Sequence, residues 1–189
     1  MSRIDVLLAH PKRTLGVLAL VLVAVGVAVG SGANFSATSA NPSNAFTAGT
    51  LTMSNSNDAA AILTASNWKP GDTQQGTVDI ANTGSLAGAF TLSKSALTNS
   101  DNTNKLSDKI NLVVKDCGDF SSGTPTCDAG DPVKYTGTLT AMGSNIALGT
   151  FAANEKHKYQ FAATFDTSAG NAYQGGSSTA TFTWDATQS

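Results

Sequence analysis

Beyond Asn34 the chain has no arginine, one glutamate, one histidine and two cysteines. Each shortage excludes something. Eight lysines against eleven aspartates and that glutamate leave this part of the chain with a net charge of −4. An acidic stretch without arginine offers no electrostatic footprint to a phosphate backbone, so nucleic acid is excluded as a partner. A single histidine, His157, cannot supply the two imidazoles of an H-E-x-x-H zinc site. Glu155 and His157 are two residues apart and share one side of an extended chain, yet they make an incomplete metal site. They read as a solvated turn entering the next strand. A G-x-S-x-G elbow and a glycine-rich phosphate loop are both missing, so no catalytic residue and no cofactor is expected.

Charge is also missing from one long run near the start. Leu15 to Val29 carries no polar side chain. Before it stand Arg3, Lys12 and Arg13, and after it come the small residues Gly30, Ser31, Gly32 and Ala33. A basic start, an apolar middle and a small-residue exit are the parts of a secretory signal peptide. Ser31 and Ala33 suit the narrow pockets of a signal peptidase, which places cleavage between Ala33 and Asn34. A spanning helix needs roughly 20 apolar residues, which this run reaches only by counting its Gly/Ser tail. The reading is therefore a removed signal over residues 1–33, with membrane contact only before cleavage.

What remains is about 156 residues, the size of one domain. Its low charge is joined to regularly spaced Phe, Ile, Leu and Val, enough for a core. In an exported chain the close pair Cys117 and Cys127 reads as one disulfide. The loop it closes is worth on the order of 2–3 kcal/mol in the chain-entropy model. Asp116, Asp119, Asp128 and Asp131 bracket that loop beside Gly118 and Gly130. Four carboxylates drawn together there are candidate oxygen ligands for calcium.

Period-two alternation recurs along the rest. Val78 and Ile80 share a face, as do Phe90 and Leu92, and Ile110, Leu112 and Val114. Tyr159, Phe161, Ala163 and Phe165 form another stripe, and Ala180, Phe182 and Trp184 the last, opposite Thr179, Thr181 and Thr183. Such stripes predict half-buried antiparallel strands. Turn formers separate them, among them Lys69-Pro70-Gly71-Asp72, Asn82-Thr83-Gly84-Ser85 and Gly175-Gly176. Residues 98–108 are polar and read as an exposed loop. Trp68 reads as a core plug. The expected fold is all-β: one antiparallel β-sandwich, jelly-roll-like, with about eight short strands.

Four stretches in order carry a family resemblance. They are Asn44 to Met53 (NAFTAGTLTM), Asn67 to Asp72 (NWKPGD), Ala81 to Leu86 (ANTGSL) and Asn171 to Gln188 (NAYQGGSSTATFTWDATQ). This order resembles the TasA/camelysin family of Gram-positive exported proteins, and the signal resembles the type cut by that family's dedicated signal peptidase. Trp68 stands where the family's turn usually has leucine, and the Cys117–Cys127 loop is not a feature associated with its matrix-fibre members.

The resemblance implies a secreted structural protein of cell-surface or biofilm-matrix fibres. It implies head-to-tail self-assembly by strand donation, with other matrix or cell-surface proteins as further partners. Residues 34–43 would be the donor, with Phe35 and Ala37 facing the acceptor's core, and residues 44–189 the sandwich. The camelysin branch brings a rival expectation, a secreted metallo-endopeptidase. A monomeric surface adhesin is the third, although few exposed aromatics are available to stack on sugars.

Overall fold

Strict apolar alternation and strand coincide along this chain. The computed structural model describes Lys12, residues 15–22 and residues 47–188. Two units divide between Phe46 and Thr47. In the first, residues 15–22 are helical, and their leucines and valines are exposed. Among the described residues no helix is long and apolar enough to cross a membrane. The Ala33–Asn34 cleavage point and the donor residues Phe35 and Ala37 lie outside the described residues.

The second unit is an all-β sandwich of two antiparallel sheets. Its strands are β1 (Met53–Asn55), β2 (Thr73–Asn82), β3 (Gly88–Asn99), β4 (Ile110–Asp119), β5 (Val133–Thr138), β6 (Ile146–Phe151), β7 (Lys156–Phe165) and β8 (Ser178–Gln188). One sheet has the order β1-β2-β7-β4-β5 and the other β6-β3-β8. Inward stripes from both sheets make one core: Val78 and Ile80 of β2, Leu112 and Val114 of β4, and Tyr159 and Phe161 of β7 meet Phe90 and Leu92 of β3 and Phe151 of β6. Aromatic rings run through it in sequence, Phe90 on Phe151 at 4.2 Å between centroids, Tyr159 on Trp184 at 5.4 Å and Phe161 on Phe182 at 5.0 Å. Offset and tilted pairs of this kind add to the area they bury.

The turns follow from their residues. Asp72 N–H donates to Lys69 O at 3.0 Å, and Gly71 sits at φ 95°, so Pro70 and Gly71 occupy the two central positions of a tight turn. Asn82 has a larger part than its turn signal announces. Its side chain is fully buried; Nδ2 donates to Leu86 O at 2.7 Å, Ala152 O at 3.0 Å and Phe151 O at 3.3 Å, while Oδ1 accepts from Gly84 N–H at 2.9 Å. One amide thus ties the end of β2 to the β6–β7 connection.

Residues 98–108 are mostly exposed, as expected of a loop, with one buried exception near the end. β3 continues to Asn99, and a single 3₁₀ turn over Leu106–Lys109 buries Ser107 completely. The Ser107 amide donates to Asn99 Oδ1, and its hydroxyl lies 2.7 Å from that of Thr140. Ser107 stays inside here because its polar groups find partners.

Candidate functional site

A closed eight-stranded jelly roll pairs its strands as 2-7-4-5 in one sheet and 1-8-3-6 in the other. Here 2-7-4-5 is complete, and the second sheet has 8-3-6. The first strand pairs on the far side of β2, through Met53↔Asn82 to Asn55↔Ile80, instead of beside β8. Among the described residues, β8 is paired along one edge only, to β3 from Gly88↔Gln188 to Asn99↔Ser178. Its other edge leaves backbone donors and acceptors available to an added strand.

A cavity of about 710 Å³ lies at this side of the sandwich. Ser178, Ala180 and Phe182 of β8 line it, with Leu63 and Trp68 from the β1–β2 connection and Phe165 of β7. Trp68 stacks on Phe165 with centroids 6.1 Å apart, so it is packed against the core and also lines the cavity. Ser178 Oγ is buried and finds no hydrogen-bond partner among the described residues.

The cysteines form the expected bridge: Cys117 and Cys127 are disulfide-bonded, with Cα atoms 4.7 Å apart. Such a bond belongs to an oxidising compartment. The four aspartates around it serve different partners. Asp119 Oδ1 accepts from Ser121 N–H at 2.9 Å, Asp131 Oδ2 accepts from Asp128 N–H at 2.6 Å, and Asp128 Oδ2 accepts from Thr126 Oγ1 at 3.1 Å. Asp116 turns inward, accepting from Gly118 N–H at 3.1 Å and pairing with Lys134 Nζ at 3.4 Å.

Asp116 also meets His157. Nδ1 of His157 is 2.9 Å from Asp116 Oδ1, and its Nε2 is 3.0 Å from Glu155 Oε1. The imidazole stacks on Phe151 at 4.5 Å. His157 therefore belongs to a part-buried polar cluster and not to a solvated turn, because β7 begins at Lys156 and carries its ring under the β6–β7 connection. The Asp116 bond raises the His157 pKa; burial opposes it and Glu155 adds to it. Burial pushes Asp116 up, but the bonds from His157 and Gly118, with the charges of His157 and Lys134, bring it below the usual carboxylate value. Tyr159 Oη, buried without a partner among the described residues, is pushed above its ordinary range by burial and then by the Asp116 and Glu155 charges.

The family model for camelysin metallo-endopeptidase matches residues 10–116. The chain belongs to the camelysin family. No curated protein matches it. The match ends at Asp116, so in this camelysin-family chain Glu155, His157 and the strands β7 and β8 lie beyond the matched residues.

A metal implied by the family's description does not fit the donor set around His157. Both ring nitrogens are already in hydrogen bonds to carboxylates, and Asp116 is shared with Gly118 and Lys134. Among the described residues, no group of three or more His, Cys, Asp or Glu side chains is placed to hold a metal ion. The groove beside β8 left no mark in the sequence, since it arises from which strands pair. The one available hint is the apolar Leu63 and Trp68 in a stretch with no strand pattern.

Proposed function

We propose that this camelysin-family protein is a secreted structural subunit of cell-surface or biofilm-matrix fibres, assembled by strand donation. The observation that carries the reading is the pairing edge of β8 that has no partner among the described residues, beside a cavity lined in part by Leu63, Trp68 and Phe182, in the position a jelly roll gives to its first strand. Residues 34–43 of a second copy are the donor: ten residues, against the eleven of β8. Main-chain hydrogen bonds to β8 give the affinity, and Phe35 and Ala37 face the core as alternate side chains do. Each subunit gives a strand at one end and takes one at the other, so the contact is heterologous and grows without closing. Cleavage at Ala33–Asn34 then releases the donor from the membrane, and secretion and assembly become one event.

Electron microscopy of the purified exported protein, with and without residues 34–43, tests this. The intact protein forms filaments and the shortened one does not; filaments of normal length from the shortened protein refute the donor role. The family's description favours a second reading, a secreted metallo-endopeptidase. It requires a chelator-sensitive caseinolytic activity that disappears in His157→Ala.

A further inference from the structure

The connection from β1 to β2 runs across the place a donor strand would enter. Gly76 lies on the inward face of β2, in phase with Val78 and Ile80, and a β-carbon there would collide with the carbonyl of Ile62. Ile62, Leu63 and Trp68 pack against the core. In a closed jelly roll the space over β2 belongs to the first strand, so residues 60–68 cover part of it. Their hold is by side chains alone over most of that length. Among the described residues, no backbone–backbone hydrogen bond reaches residues 61–68. Two non-glycine residues with left-handed backbone stand at or near the ends, Ala59 at φ 55° and Asn67 at φ 53°. Such residues sit above their relaxed conformation and absorb backbone change at a hinge.

We propose that residues 60–68 are a strap over the acceptor groove. The strap lifts from β2 to admit the donor strand, and its release sets the rate of fibre growth. The inference rests on the reading that β8 accepts a strand, and it adds a gate to that site. Three side-chain anchors and no backbone ladder make the strap the part of the groove that opens at least cost. The closed strap keeps Leu63, Trp68 and Phe165 together while no donor is present, which limits exposed apolar surface on the unassembled subunit.

Two substitutions in the exported protein loosen the strap by opposite routes. Ile62→Ala removes an anchor, and Gly76→Ala drives a methyl group against the strap from below. Acrylamide quenching of tryptophan fluorescence reads the opening, because Trp68 is partly exposed whereas Trp184, the other tryptophan, is buried. Light scattering with electron microscopy reads filament growth. Both variants are expected to raise quenching and to speed growth, Ile62→Ala by about thirtyfold, the low end for the loss of a packed isoleucine side chain. Ile62→Val, a smaller change, gives about threefold and keeps the test available where a larger change unfolds the domain. Increased quenching with unchanged or slower growth overturns the gate, and so does unchanged quenching in all three. Absence of filaments from the unaltered protein defeats the strand-donation reading itself, and quenching still shows separately whether the strap moves.

Discussion

Replacing Asn82 by alanine removes more than a turn residue. The amide makes four contacts from a site with no solvent exposure: three carbonyls around Nδ2, at Leu86, Phe151 and Ala152, and the Gly84 amide on Oδ1. Two N–H groups serve three carbonyls, so the contacts amount to about three full hydrogen bonds, each worth about 1 kcal/mol net. Alanine strips all of them and leaves their backbone partners without a replacement, which adds the desolvation of at least one buried group. The loss is expected at about 3–5 kcal/mol, a large share of the roughly 5–15 kcal/mol that holds a domain together. Urea unfolding followed by circular dichroism measures it. With a slope of about 2 kcal/mol per molar, the midpoint falls by roughly 2 M. Asn82→Asp is the sharper control. It keeps the shape and the Gly84 bond but turns an oxygen toward three carbonyls, so it must be at least as damaging as alanine. A loss under about 1 kcal/mol for alanine, or an aspartate variant milder than alanine, would refute this account.

Three further outcomes are expected. The Asp116–His157 contact makes stability depend on pH. The raised His157 pKa gives a contribution complete below about pH 6.5 and lost as pH rises through the folded value, and the lowered Asp116 pKa gives one complete above about pH 3.9 and lost as pH falls through the folded value. Melting temperature should peak between those limits, and His157→Gln should flatten the alkaline side of the profile. Replacing Cys117 and Cys127 together by serine, which opens a loop of ten-residue separation, should cost about 2–3 kcal/mol in chemical unfolding. Gly71→Ala, at φ 95°, should cost about 1–2 kcal/mol by the same measurement, since alanine meets a steric penalty there that glycine does not.

The strands legible in the sequence are those with one face in the core. The stripes from Val78 to Ile80, Ile110 to Val114 and Tyr159 to Phe165 all lie in central strands, where burial imposes strict alternation. β1, β5 and β6 carry no apolar stripe, for a physical reason. β1 has only three residues, β5 exposes Val133 and carries Gly137, and β6 is interrupted by Gly149 at φ 127°. These three edge strands are short or irregular, which blunts unwanted pairing and also erases the pattern, whereas the eleven-residue edge strand β8 keeps its stripe because Trp184 is buried and Ala180 and Phe182 pack against the core. The Asp116–His157–Glu155 cluster was hidden for another reason. Only Glu155 and His157 are neighbours in sequence, and Asp116 comes to the imidazole from β4, beside a bulge in which Cys117 and Gly118 stand opposite the one residue Lys158.

By itself the sequence determined the all-β class, the Pro70-Gly71 turn and the pairing of two nearby cysteines. Each depends on neighbours a few residues apart, where backbone preference and side-chain period decide the outcome. Tertiary structure alone decided that β1 sits beside β2, that β8 keeps an edge without a described partner, and that residues 60–68 lie over Gly76. Those are contacts between distant segments, and no local propensity distinguishes a first strand that joins one sheet from a first strand that joins the other.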